Sequence, residues 1–384
     1  MNTFDSQLIY LDHNATTPVD ESAVKAMKLY MSGEFGNPSS VYRLGVRAKK
    51  AVENAREEVA LLINCKSDEL IFTSGGTESN NAVLKGVVDF KNLKGTHIIS
   101  SAVEHPAVIN PLLYLMELGV DTTFLPVDSW GMVNPDDVRG AIRPETILIS
   151  VMLANNETGV LQPVKEISEI AKNRSILMHT DAAQAVGKIV VDVKELDVDF
   201  LSIAGHKLYA PKGVGALYIK KNTVLTPLIH GASQEYGLRA GTENVILTVG
   251  LGEACEIARK RMNDDLKKIK ELRDMFQEML FNNIDDLVLN GHPDKRLPNT
   301  LNVSIPGIDG GHLLENLDNI AASTGAACHD RDVTLSHVLS AMGVSPDVGM
   351  GTLRLTLGRH NDKKQIEAAA GQIIEVANKM KTSS

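Results

Sequence analysis

Cysteine is scarce: three in 384 residues, Cys65, Cys255 and Cys328, far apart and with no CxxC pair. That argues against a disulfide framework and against thiolate zinc sites. It leaves at least one thiol free, as buried filler or as a nucleophile. Long apolar runs are also missing. The longest candidate, VILTVGLGEACEIA, is broken by Glu253 and Glu256, short of the roughly 18 residues a membrane span needs. Positive charge is not in excess: 39 Lys and Arg stand against 48 Asp and Glu, a net charge of -9. No general basic surface invites nucleic acid, although a local pocket for a small anion is compatible with this balance. The opening MNTFDSQLIYLDH has neither a basic n-region nor an apolar h-region, so no secretory signal is expected and the cytoplasm is the expected compartment. There is no internal repeat and no low-complexity tract.

What is present is ordinary globular material, 43% hydrophobic and 23% charged, in a length that suits one large domain and one smaller. Short apolar segments alternate with helical patterns. ELIFTS (69–74), THIISS (96–101), TTFLPV (122–127), TILISVML (146–153), SILMHT (175–180), DFLSIA (199–204) and VGALYIKK (214–221) read as strands. Segments 78–90, 106–118, 134–142 and 164–173 between them read as helices. This alternation predicts an α/β domain whose largely parallel sheet is buried on both faces. A long helical pattern from about 243 to 282 follows, then a mixture of short strands and helices. The expected division is a large α/β domain over 15–262 and a small α+β domain formed by 1–14 and 263–384.

Ligands of open α/β sheets bind at the carboxyl ends of the strands. After the first strand comes Gly75-Gly76-Thr77-Glu78, glycines opening a helix, whose free N–H groups suit an anion such as phosphate. The plain alternative is that Thr77 is only a helix cap. Later strand ends deliver His105 followed by Pro106, the Asn155-Asn156 pair, Asp181 with Gln184, and His206-Lys207. No second carboxylate stands near Asp181 at a helpful spacing, so a metal is disfavoured. A phosphate cup, an imidazole, an amide, a carboxylate and a lysine match one ligand, pyridoxal 5'-phosphate. Lys207 would form the Schiff base, Asp181 would pair with the protonated ring nitrogen, and His105 would stack on the ring. Desolvation and neighbouring cations would lower the Lys207 pKa and make it a nucleophile and base. Lys212 falls in the following turn.

Two further residues stand out. Cys328 lies in ASTGAACHD, a small-residue stretch read as a loop without the bulk to bury a thiol, with His329 beside it to favour the thiolate. Cys255 and Cys65 read as structural or incidental. Arg354 sits in the apolar strand TLRLTLG and needs an anionic partner. An amino-acid carboxylate suits its fork, and a structural salt bridge is the alternative.

In order and combination, YLDHNATTPVD, GNPSS, GGTESNN, EHPAV, ANNETG, HTDAAQAVGK, GHKLYAPKGVGALY, RAGTEN, STGAACH and LRLTLGR resemble the cysteine desulfurases, in the class V branch of fold-type I pyridoxal-phosphate enzymes. Nearly the whole chain is covered. The resemblance implies a large domain with a mostly parallel mixed sheet between helices, a small α+β C-terminal domain and a homodimer. It implies phosphate contacts from Gly76, Thr77 and His206, with Thr242 supplied by the partner subunit. It also implies ring contacts from His105, Asp181 and Gln184, with Asn156 and Arg354 at the substrate. L-Cysteine would become L-alanine, with the sulfur taken by Cys328 as a persulfide for an acceptor such as an iron–sulfur scaffold. GAACH and GHK also resemble selenocysteine lyases, which makes L-selenocysteine the alternative substrate. One departure stands out. The serine often found three residues before the lysine is Ala204 here, removing one expected bond to the phosphate.

Overall fold

Seven short apolar segments pair into one sheet. In spatial order the strands are Leu70–Thr73, Gly215–Ile219, Phe200–Ala204, Leu177–Asp181, Thr146–Ser150, His97–Ser101 and Asp121–Leu125. All neighbours are parallel except Gly215–Ile219, which runs antiparallel to both of its partners. Strands such as His97–Ser101 and Phe200–Ala204 are buried at every position, as expected where helices cover both faces. The computed structural model describes residues 8–91, 93–324, 326–329 and 332–383, with backbone alone at 326–329, 332–334 and 383. None of the described helices is long and apolar enough to cross a membrane.

Predicted strands and helices recur with shifted ends. The expected strand 146–153 stops at Ser150, and Asp181 is the last residue of its strand rather than the first beyond it. Two helices went unread, Glu21–Ser32 and Arg43–Ile63. The first is capped by Asp20, whose side chain accepts from the Ser22 N–H. The second shows its small buried face (Ala48, Ala51, Val52, Ala55) to the long helix Val245–Phe281.

Two apolar clusters share that long helix. Its first half gives Leu251, Ala254, Cys255 and Ala258 to the cluster on one face of the seven-stranded sheet. Its second half gives Leu272, Phe276 and Leu280 to a cluster with Leu301, Val303, Leu353, Leu355 and Ile366. That second cluster lines a four-stranded antiparallel sheet ordered Ser323–Thr324, Thr352–Thr356, Thr300–Ser304, Val288–Leu289. The start of the described chain ties the two regions together. Ile9–Tyr10 pairs in parallel with Ile320–Ala321, and residues 12–17 then cross until Thr17 N–H donates to the His206 carbonyl at 2.9 Å.

The Cys328 segment departs from the expected loop. Its backbone forms a strand, Ala326–His329, in a hairpin with Asp332–Leu335, and Cys328 stands opposite Val333. Small residues on one strand can still pair when the other supplies β-branched Val333 and Thr334. The Cys328 and His329 side chains lie outside the described residues.

Candidate active site

The carboxyl ends of the strands open into a cleft of about 280 Å³. It is lined by Gly76, Thr77, His105, Asn156, Asp181, Gln184, His206 and Lys207, together with Asn80 and Ala204. The structure thus brings together the expected residues of the large sheet. Thr242 is not among the lining residues; it is exposed in the segment before the long helix.

Lys207 ends a 3-10 turn, Gly205–Lys207, directly after the strand Phe200–Ala204. Its Nζ donates to the carbonyls of Asn14 and Ala15 at 2.6 and 2.7 Å. Burial and then the Arg354 charge lower its pKa from 10.5 to about 8, against the pull of Asp12 and Asp181. Lys212 lies in the turn that follows.

Asp181 is buried at the floor of the cleft. Its Oδ2 accepts from Asn80 Nδ2 at 2.6 Å and its Oδ1 from the Ala183 N–H at 2.9 Å. His105 caps the helix Pro106–Glu117. Its Nδ1 accepts from the Ala107 N–H at 3.0 Å, so the neutral ring carries its proton on Nε2. Desolvation, then Lys207 and His337, hold its pKa below the usual imidazole range against the pull of Asp181. At the other end of the cleft the helix Gly76–Gly86 starts after Gly75, whose φ of 148° favours glycine. Gly75 is the cap residue and supplies no side-chain bond. Thr77 is therefore a first-turn residue rather than the cap, and the free N–H groups form an anion cradle. A Cβ on Gly76 would come within 3.3 Å of Ala204 Cβ, so the alanine in place of serine packs directly on this cradle. His206, its pKa lowered to about 4 chiefly by burial, meets Thr16 Oγ1 at 3.2 Å.

This set fits pyridoxal phosphate on the structure's own terms. An uncapped helix start would meet the phosphate, a buried carboxylate the ring nitrogen, and an amine of depressed pKa the aldehyde. Two buried side-chain oxygens beside the cleft, Asn80 Oδ1 and Asn156 Oδ1, have no partner within the protein. Unsatisfied buried amides are uncommon and point to a polar ligand.

Arg354 makes the structural salt bridge that is the alternative reading for it. Its Nη2 is paired with Asp12 Oδ1 at 2.9 Å and its Nη1 donates to the Asn156 carbonyl at 3.3 Å. Its Nε is buried without a partner. A structural ion pair therefore orients the guanidinium and leaves its Nε without a partner in the protein.

Several site residues escaped the sequence reading. Asn14 Nδ2 donates to the Asn156 carbonyl at 3.2 Å and to Thr300 Oγ1 at 2.9 Å. Lys188 Nζ bonds Asn14 Oδ1 at 2.8 Å and Gln184 Oε1 at 2.6 Å, and burial drives its pKa well below that of an ordinary lysine. Gln184 Nε2 donates to the Asn14 carbonyl at 2.9 Å. Lys188 carried a signal: in AVGKIVV it has the apolar flanks that drew attention to Lys207. Glu104 is fully buried next to His105, and burial raises its pKa to about 8.

The chain is similar to known proteins over nearly its full length. The Aminotransferase class-V family matches residues 9–369. "Cysteine desulfurase IscS" of Dictyoglomus turgidum is 48% identical over 378 residues, covering 98% of this chain and 96% of that protein. A solved NifS-like protein superposes with a TM-score of 0.90 at 37% identity, covering 97% of this chain and 99% of its own. The structure "SspA in complex with cysteine" gives a TM-score of 0.81 at 36% identity, covering 92% and 99%.

Proposed function

The chain belongs to the class-V aminotransferase family, and from that premise we propose that it is a pyridoxal-phosphate-dependent cysteine desulfurase. L-Cysteine and the Cys328 thiol become L-alanine and a Cys328 persulfide. The observation that carries the reading is the meeting of Lys207, Asp181 and His105 in one cleft, with Arg354 bonded to the carbonyl of its lining residue Asn156.

Pyridoxal phosphate supplies an electron sink for negative charge at the substrate carbon. Gly76, Thr77 and His206 would hold its phosphate, with Thr242 from a second copy. Asp181, fixed by Asn80, would keep the ring nitrogen protonated, and Gln184 and Asn156 would contact the ring. Lys207 would hold the cofactor and can move the Cα proton, a task suited to an amine whose pKa is about 8. Arg354 fixes the substrate carboxylate through the donors Asp12 leaves free. His105, with its proton on Nε2, can protonate the substrate or the departing group. Cys328 takes the sulfur, and the thiolate is the attacking form.

The homodimer, the cytoplasmic compartment and a sulfur acceptor such as an iron–sulfur scaffold belong to the same proposal, as does the division into 15–262 and 1–14 with 263–384. The two apolar clusters along the long helix support that division. The selenocysteine lyase alternative finds no support in the relatives above. Incubation with cofactor and L-cysteine, with alanine measured, is the test. Cys328→Ala is expected to stay yellow and stop releasing sulfur. Full activity in that variant would remove Cys328 from the mechanism, and no alanine from the unaltered protein would overturn the proposal. Selenocysteine turnover measured alongside separates the two substrates.

A further inference from the structure

Two serines bracket the segment that carries Cys328. Ser323 pairs opposite Arg354 in the four-stranded sheet, and its Oγ donates to Asp12 Oδ2 at 2.8 Å. The other oxygen of that carboxylate, Oδ1, accepts from Arg354 Nη2 at 2.9 Å. Ser336 follows the second hairpin strand, Asp332–Leu335, and its Oγ donates to Glu157 Oε2 at 2.5 Å. Glu157 adjoins Asn156, whose carbonyl accepts from Arg354 Nη1. Its own carbonyl accepts from Asn302 Nδ2 at 3.2 Å. Beside Ser336, His337 Nε2 donates to the carbonyl of Glu104, the neighbour of His105, at 2.9 Å. Val338 and Leu339 pack with Val103 in a small apolar cluster. Ser323 and Ser336, on either side of the strands Ala326–His329 and Asp332–Leu335, are thus each tied through a hydroxyl to a carboxylate near Arg354.

Hydroxyl-to-carboxylate bonds are charge-assisted and directional. One at each end of a hairpin limits the positions its middle can take, and misplacement of a reacting group by about 1 Å can cost a hundredfold in rate. On the desulfurase reading above, we propose that Asp12 and Glu157 are positioning residues for sulfur transfer. They clamp Ser323 and Ser336, and so aim the hairpin bearing Cys328 at the substrate held by Arg354. Asp12 serves both parts of the task, since one oxygen orients the arginine and the other orients the segment leading to the thiol.

The test uses Ser323→Ala and Ser336→Ala, singly and together. Three quantities are read: alanine formed from saturating cysteine by the holoenzyme, exchange of the substrate Cα hydrogen with deuterated solvent, and iodoacetamide labelling of Cys328 in cofactor-free protein, followed by peptide mass spectrometry. Exchange needs Lys207 and Arg354 but not the thiol. In the double variant alanine formation is expected to fall about ten-fold, with exchange held within about two-fold, as fits loss of charge-assisted bonds at both ends. Labelling of Cys328 is expected to rise several-fold, and Ser323→Thr with Ser336→Thr, which keep both hydroxyls, to restore all three. Exchange falling in step with alanine would show a general structural role and overturn the proposal, as would three unchanged readouts. If the unaltered protein makes no alanine, the desulfurase reading fails, while labelling of the cofactor-free protein still decides whether the clamp exists.

Discussion

Burial and the Arg354 charge hold Lys207 near neutrality, and this has a measurable pH signature. Its folded-state pKa of about 8 lies below the ordinary 10.5, so between these values the unfolded chain binds the extra proton. This group's contribution to the stability of the cofactor-free protein therefore rises across that window, is complete above it, and is lost as the pH falls through about 8. Acylation of Lys207 in cofactor-free protein, followed by mass spectrometry, is expected to show a midpoint near 8. Arg354→Gln should move it upward, because a repelling cation is gone and Asp12 no longer shares its carboxylate. A midpoint already at 10.5 in the unaltered protein would contradict this account of the amine. Lys207 was legible because a lysine between two apolar strands needs a reason. Asp12 and Asn14 were not, because their roles come from partners far along the chain: Arg354 for one, Gln184 and Lys188 for the other.

Among the elements, the helix pair Arg43–Ile63 and Val245–Phe281 rests on close backbone approach. A Cβ on Gly252 would lie 2.6 Å from Ala55 Cα, a backbone atom that cannot yield by rotating a side chain. Gly252→Ala is expected to destabilise the protein by about 2 kcal/mol through overpacking, read as a lower urea midpoint with the slope unchanged. An unchanged midpoint would mean that the helices separate at little cost. The long helix was visible in the sequence from its periodicity, whereas Arg43–Ile63 was passed over. Four of its ten buried residues are alanine and two more are Gly45 and Arg56, a weak hydrophobic signal until the partner helix is known. The Cys328 hairpin was read as a loop for a related reason, since the pairing that makes it a strand comes from residues 332–335.

For the whole molecule, the exposed apolar side chains bear on assembly. Phe35, Val41 and Tyr42 are 70%, 95% and 59% exposed, a run of exposed apolar side chains on one segment. Lys49 Nζ, on the helix that follows, lies 3.7 Å from Glu243 Oε1, which places this region beside Thr242. If the proposed homodimer forms through this segment, Val41→Glu with Tyr42→Asp is expected to halve the mass in solution by light scattering. It should also weaken cofactor retention about ten-fold, through loss of the phosphate contact from a second copy. A variant of unchanged mass would count against a dimer formed through this segment. The sequence by itself determined the alternation of strands and helices, the chemical kinds of group at the strand ends and the position of Lys207 directly after a strand, because these depend on local periodicity and on residue type. Only the tertiary structure decided that Asp12 and Asn14 bond to Arg354 and to the cleft residues Gln184 and Lys207, that Arg354 is held by a carboxylate, and that Ser323 and Ser336, on either side of the Cys328 hairpin strands, each bond a carboxylate. Those facts depend on through-space contacts between distant segments, and a one-dimensional pattern carries no distances of that kind.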